Sequence, residues 1–583
     1  MAAAKDADPF VVAAIDFGTT YSGYAFSFWH DYLLDPLKIQ TNLAWYCSSG
    51  QSLVSTKTPT SVLLNPDKTF NAFGFEAEDK YFELAEEDEH TDYYFFRRFK
   101  MLLFKRMTIN REVTIEEALG KSMKAIDIFS ISIKYLKDHL LSMLETRGMT
   151  VYEKDILWVL TVPAIWEEPA KQFMREAATM AGIKSEKLKI VLEPEAASIL
   201  CNTLPLVRND KDEKQLLGSF KPGTIYLILD MGGGTVDVTV HEVTKTGTLR
   251  EVIRASGGAW GGTSVDASYE NLLNSIFGKD LMGDFMREER IDYLDMQRNF
   301  ELKKRELKLD SNKIKILLPA ALLEFIQKRA GTEASEFIKS ARSDNSIVIR
   351  KNHMIVQNHV IMGLFHESLN KITEHIKGIL ANPRVERIDK ILIVGGFSEC
   401  VPVTAALKKA FHEIKIVIPP EPGLAVLRGA VIFGHNPRVI TSRVVHYTYG
   451  VAIKQVFDPK IHPEEKKETI KKVDYCKDVF DKFFSSGEEV GNDEKIARTY
   501  NILDRYKSME ITLYASSDPN PILVTDECCT RIGSVTILKP TKKWKRKASL
   551  KVELGLGGSE FSVTVTETTT KTQQEAKFDF LSN

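Results

Sequence analysis

A chain of 583 residues, 43% hydrophobic and 27% charged, is too long for one ordinary core and reads as two to four globular domains. A formal net charge of −1 argues against a general nucleic-acid binder, and no uncharged apolar run reaches the roughly 18 residues of a membrane span. Six cysteines with no CxxC spacing suit a reducing cytosol and not a disulfide framework, and the adjacent Cys528 and Cys529 read as ordinary thiols. The start, MAAAKDADPF, has no apolar h-region, so no secretory signal is expected.

Along the first three-quarters, β-like runs alternate with long helical patterns, which predicts α/β architecture. The strand candidates are FVVAAID (10–16), DILWVLTVP (155–163), IYLILD (225–230), VTVHEV (238–243) and KILIVGG (390–396). Helical periodicity covers 113–146, 168–181, 283–309, 352–381 and 421–434. Near 182–192 the pattern returns to strand and ends in LEPEAAS, where Pro194 biases Glu193 away from helix and puts its carboxylate at a strand-to-helix junction. Beyond Pro437 the composition shifts to Val, Thr, Tyr and Ile alternation with turn residues between short runs. That pattern predicts a β-sandwich-like second domain over 437–583. The charge runs EEDEH (86–90) and KKWKRK (542–547) read as a solvated loop and an exposed turn.

Two stretches carry chemistry. AAIDFGTTYSGYAF (13–26) and LILDMGGGTVDVTV (227–240) share one plan: apolar strand, Asp, a Gly-rich turn with Thr, apolar strand. Glycine inside a strand pattern gives up packing and backbone entropy, so three in a row need a reason. A turn without Cβ atoms lets main-chain N–H groups approach an oxyanion, and threonine hydroxyls add donors. Aspartates there would repel bare phosphate, so Asp16 and Asp230 imply a cation, hydrated Mg²⁺ being the best match. Two copies suggest a pseudo-duplicated core with both turns on one cleft. Gly120-Lys121-Ser122 is not a P-loop: it lies in a helical pattern, and Ile115 stands where the first glycine belongs.

These residues resemble the 70-kDa heat-shock protein family of the actin, heat-shock and sugar-kinase superfamily. DFGTTYSGYAF resembles its first phosphate loop, LDMGGGTVDVTV its second, VLEPEAAS and EPGLAVLRGAVIFG its connecting segments, and ILIVGGFSECVPV its adenosine motif, in order over 10–436. GGAWGGTSVD (257–266) and FKMLLF (99–104) are similar to the divergent heat shock 70 kDa protein 12 branch. The resemblance implies a two-lobed, actin-like ATPase domain (10–436) that binds ATP or ADP with Mg²⁺. Asp16 and Asp230 would hold the metal. Gly18, Thr19, Thr20, Tyr21, Gly232, Gly233, Gly234 and Thr235 would embrace the phosphates. Asp237 and Glu193 would orient water, and Lys100 would stabilise charge on the γ-phosphate, although Arg97 and Arg98 are neighbouring cations. Glu301, Lys304, Arg305, Gly395, Gly396 and Phe397 would contact the nucleoside.

Departures from the family pattern are Glu399 in place of an adenine-stacking arginine, Pro402 for the displaced proline, and Gly423 in place of an aspartate. HNPRVITSRVV (435–445) stands in place of the usual linker, and no helical lid or acidic tail is expected. The expected protein is a slow, cytoplasmic, chaperone-like ATPase, monomeric or weakly oligomeric. Its C-terminal strands would bind polypeptide clients or regulatory partners. The alternative is a nucleotide-gated scaffold with little turnover.

Overall fold

The computed structural model describes residues 9–42, 44–46, 54–104, 109–204, 207–209, 212–217, 220–309, 312–341, 345–502, 508–538, 548–556, 558–568, 571 and 573–582. Two mixed sheets organise the first three-quarters. In one, Val11–Phe17 pairs antiparallel with Tyr21–Phe28, which Gln40–Thr41 continues; on its other side lie the parallel strands Ile156–Val162 and Leu188–Leu192. In the other, Ile225–Met231, Val236–Val243 and Leu249–Gly258 form the antiparallel run. Lys390–Val394 and Lys415–Val417 are its parallel neighbours. Counting these five strands of each in chain order, both sheets read 5-4-1-2-3; Thr58–Pro59 also pairs with Tyr21–Phe28, and two later strands extend the second sheet beyond Leu249–Gly258. The expected duplication is therefore a duplication of topology.

Strands 11–17 and 156–162 are buried at every position, which explains why they read as continuous apolar runs without alternation. Helices Glu193–Thr203 and Ala425–His435 lie in the shared core between the sheets, with Val12 and Ala14 from one and Tyr226 and Ile228 from the other. Gly429 makes that packing possible, because a Cβ there would overlap the Ala196 carbonyl oxygen.

Several expected helices are divided. Residues 114–116 and 122–124 form a hairpin, and only Ala125–Thr146 is helical. The Gly120-Lys121-Ser122 tripeptide is thus a hairpin turn, not a helix. Gly120 sits at φ +94°, and the Glu117 carboxylate accepts the Leu119 and Lys121 N–H groups. The 283–309 pattern breaks at Glu289 into Lys279–Glu288 and Arg290–Arg305. In 352–381, His353–Gln357 is a strand paired with Lys313–Leu317 and Ile347–Arg350, since Met354 and Val356 bury on one face at period two. Helices Asn358–Gly363 and His366–Leu380 follow. EEDEH closes the Phe75–Glu86 helix and is largely exposed. KKWKRK lies outside the described residues.

After His435 the described residues form strands and short 3-10 turns. Ile440–Val444 adds to the second sheet beside Leu249–Gly258 and is itself paired with Glu489–Gly491. Backbone pairing therefore runs through the segment expected to be a linker. A five-stranded and a four-stranded antiparallel sheet follow, and their apolar faces (Val451, Leu513, Val535 against Leu550, Val552, Val565) share one core. Cys528 and Cys529 remain free thiols, with sulfurs 3.9 Å apart. Among the described residues no helix is long and apolar enough to cross a membrane.

This β-rich region is anchored to the first sheet's layer. Asp579 and Glu176 share Arg111, at 2.9 and 2.6 Å. Arg175 holds both carboxylate oxygens of Glu560, Ser559 Oγ donates to the Ile190 carbonyl at 2.6 Å, and Leu581 is buried in the first sheet's core.

Candidate functional site

The two Gly-rich turns face each other across one cleft. It is lined by Asp16, Gly18, Thr19, Thr20, Tyr21, Lys100, Glu193, Asp230, Gly232, Gly233, Gly234, Thr235, Glu301, Lys304, Arg305, Gly395, Gly396 and Phe397. Counted with the open solvent at its mouth, the space between these side chains is about 1130 Å³. Every site residue read from the sequence lines it except Asp237.

The three consecutive glycines answer to close approach. A Cβ on Gly233 would overlap the Thr20 side chain, and one on Gly234 would meet Thr19 and Met101. None of the three has positive φ. Behind the second turn, Gly261, Gly262 and Thr263 donate their N–H groups to the carbonyls of Gly234, Gly232 and Gly233, so GGAWGGTSVD is the clamp that fixes the turn. Gly395 is constrained twice: its φ is +85°, and a Cβ there would meet the Asp230 carboxylate.

Electrostatics divides the cleft. At its floor, Lys100 Nζ donates to Glu193 Oε1 at 2.7 Å and stacks over the Trp166 ring at 5.0 Å. Arg98 is committed elsewhere, to Asp266 and Glu301, which makes Lys100 the cation of this stretch that enters the cleft. Asp16 accepts from Thr161 Oγ1 at 2.7 Å and from Lys57 Nζ at 2.6 Å. Burial by itself would raise the Asp16 carboxyl, but Lys57 and then Lys100 outweigh it and hold it low. At Asp230 the balance reverses, with Lys57 opposing only in part. Burial first, then repulsion from Glu193, Asp237 and Asp16, push its pKa far above the ordinary range. Burial also raises Glu193, with Lys100 opposing.

Asp237 lies directly across the strand pair from Asp230, but the chain at Ile165 covers it. Its Oδ1 accepts the Ile165 N–H at 3.1 Å, and burial and Glu193 raise it to about 7.

The end of the cleft around Glu301 is a latch of ion pairs. Burial would raise the Glu301 carboxyl, but Arg98, Arg305 and Lys304 hold it well below the usual carboxylate range. Arg305 lies over the Tyr21 ring at 4.3 Å and bonds Glu301 at 3.0 Å. Lys304 bonds the Gly262 carbonyl and Asp266. Glu399 also lines the cleft, facing the space that the missing side chain of Gly423 leaves.

A model of the Hsp70 protein family matches residues 89–436. The chain belongs to the Hsp70 family. The human heat shock 70 kDa protein 12B is 32% identical, over 98% of this chain and 91% of its own length. The mouse heat shock 70 kDa protein 12A is 32% identical over 99% and 93%, and the human 12A protein 32% over 98% and 91%. This Hsp70-family chain thus falls with the divergent 12 branch, as an atypical Hsp70-like ATP-binding protein. The family match begins at residue 89, well after the first Gly-rich turn, and runs to the end of the Ala425–His435 helix.

Sequence reasoning missed Lys57, Thr161, Trp166 and Asp266. Lys57 sits in TKTP, 41 positions from its partner Asp16, with no local pattern to mark it. Asp266 was within reach, since it closes the GGAWGGTSVD motif.

Proposed function

We propose that this Hsp70-family protein binds ATP and ADP in the cleft, hydrolyses ATP slowly, and couples that cycle to polypeptide binding by its C-terminal strands. The observation that carries the reading is the pair of facing glycine turns with Lys100–Glu193 between them, on two sheets of the same strand order. The turns would hold the phosphates through main-chain N–H groups and Thr19, Thr20 and Thr235. Lys100 would offset charge that develops on the transferred γ-phosphoryl group. Glu193 lines the cleft and would orient the attacking water, which bonds phosphorus as the bond to the β,γ-bridging oxygen breaks and ADP leaves. Asp237 is walled off by Ile165, so its part is to hold that wall and Thr235.

The acids also fit a divalent metal. Four carboxylates (Asp16, Glu193, Asp230, Asp237) meet two ammonium groups (Lys57, Lys100), and Asp230, pushed far up by burial and three neighbouring carboxylates, is the group that most needs a cation. Among the described residues no three acids, histidines or cysteines converge as direct ligands, which favours an ion held through its water shell. Bound there by Asp16 and Asp230, Mg²⁺ would neutralise phosphate charge. The C-terminal sheets support a place for extended polypeptide, clients or regulatory partners, by strand pairing, with the cytoplasm as the setting.

A second reading, a nucleotide-gated scaffold with little turnover, is favoured by Glu399 opposite Gly423, which puts a carboxylate where the base would lie. Calorimetric titration with MgATP and MgADP tests binding, and absence of both rejects the two readings together. Single-turnover hydrolysis separates them. For the ATPase, Lys100→Met retains nucleotide affinity within a few-fold and loses roughly 100-fold in rate. A wild-type rate no faster than ATP in buffer selects the scaffold.

A further inference from the structure

The floor of the cleft already contains a cation that neither the motifs nor the family match assigns. Lys57 Nζ lies 2.6 Å from Asp16 Oδ2, with the lysine side chain 17% and the aspartate 8% exposed. The pair is built into the fold. Lys57 lies in the bend Thr56–Lys57 after the Val54–Ser55 strand, the Ser55 hydroxyl accepts its N–H at 3.3 Å, and Thr58–Pro59 then pairs with Tyr21–Phe28. The lysine stem runs over Gly23, where a Cβ would stand 3.1 Å from Lys57 Cγ. Glycine at 23 leaves the channel through which the ammonium reaches the cleft. Both Asp16 oxygens are engaged, one by Thr161 and one by Lys57. A metal shell that bonds Asp16 must therefore share or displace this lysine.

A lysine that meets its acid inside a ligand cleft has two more N–H groups to offer an arriving anion. Ser55, Thr56 and Lys57 all line the same wall as Asp16 and Gly18. We infer that Lys57 is a phosphate ligand and the fixed counter-cation of Asp16, so that the cleft retains nucleoside diphosphate when divalent metal is removed. The inference rests on the nucleotide reading above and adds to it a residue and a weakened metal requirement. A purely structural ion pair would instead lower stability when broken and leave metal dependence unchanged.

The test is ADP titration of the full chain in Mg²⁺ and in EDTA, for wild type and Lys57→Met, which keeps most of the stem that packs on Gly23. The quantity read is the fold-loss of affinity on going from Mg²⁺ to EDTA. A loss at least tenfold larger in Lys57→Met than in wild type supports the assignment, and any smaller ratio overturns it. Absence of ADP binding to wild type even with Mg²⁺ removes the nucleotide reading itself, a separate result. If Lys57→Met does not fold, Asp16→Asn asks the same question from the other side. Freed from its carboxylate, Lys57 must then raise ADP affinity in EDTA at least threefold over wild type, and no rise overturns the proposal.

Discussion

Arg443 grips Glu195 with two parallel bonds, Nε to Oε1 at 2.6 Å and Nη2 to Oε2 at 2.9 Å, deep in the protein. Glu195 belongs to the first turn of the Glu193–Thr203 helix, two residues after the carboxylate that faces Lys100. Arg443 belongs to the strand that leads into the β-rich region, and the next residue, Val444, donates its N–H to Glu251 at 2.7 Å. Removing one partner of a buried, bidentate pair strands the other charge, which typically costs about 3–5 kcal/mol. Arg443→Leu is therefore expected to lower stability by that order in urea unfolding. Adding Glu195→Leu to it should recover a large part of the loss, because two apolar groups leave no orphaned charge. A double variant no more stable than Arg443→Leu would mean that the pair is not where the stability lies.

Much of the site was legible because its signals are local. Each Gly-rich turn announces itself within a dozen residues, and two similar turns pointed to a repeated core with both turns on one cleft; the strand order 5-4-1-2-3 that the two sheets share was not in that pattern. What joins distant segments was not legible. Lys57 to Asp16, Arg98 to Asp266 and Arg443 to Glu195 are pairings across 41, 168 and 248 positions, and only the folded chain brings them together. The 114–124 hairpin was lost for a different reason. Ile115, Ala118 and Met123 fall at spacings that imitate a helical face, and the positive φ of Gly120 overrides that period. The chemistry of Asp237 shows in its motif, but the Ile165 N–H that covers it comes from another loop.

Glycine substitutions should have opposite effects in two helices. Gly429 lies where the Ala425–His435 helix meets the Glu193–Thr203 helix, and a Cβ there would overlap a backbone carbonyl, which cannot rotate away. Overpacking of this kind costs about 1–3 kcal/mol, and the upper end is expected for Gly429→Ala. Gly378, inside the His366–Leu380 helix, has nothing within 4 Å of its Cβ position. Gly378→Ala should stabilise by about 0.5–1 kcal/mol through helix propensity alone. Urea midpoints of the two variants read both signs directly. A Gly429→Ala protein as stable as wild type would contradict the close helix crossing.

Acid should destabilise the fold through histidines buried in neutral form. His241, His435 and His446 are each lowered to about 4 by burial. Their ring nitrogens are 2.9 Å from Ser198 Oγ, 2.7 Å from Ser27 Oγ and 2.9 Å from the Ala255 carbonyl. Because the folded value lies below the unfolded one, near 6.5, the unfolded chain takes up the proton first as pH falls. The contribution is complete above about pH 6.5 and is lost progressively toward pH 4, about 2 kcal/mol per histidine by pH 5. Glu251 works in the opposite sense. Burial raises it to about 7, so its protonation favours the folded state as pH falls through 7 toward its unfolded value. The total pH dependence therefore mixes both kinds of group, and a single substitution isolates one. His446→Gln keeps a donor for the Ala255 carbonyl but cannot take up the proton. Between pH 7.5 and 5 its urea-derived stability should fall by about 2 kcal/mol less than that of wild type. Parallel loss in the two proteins would show that His446 is protonated in the folded state as readily as in the unfolded chain.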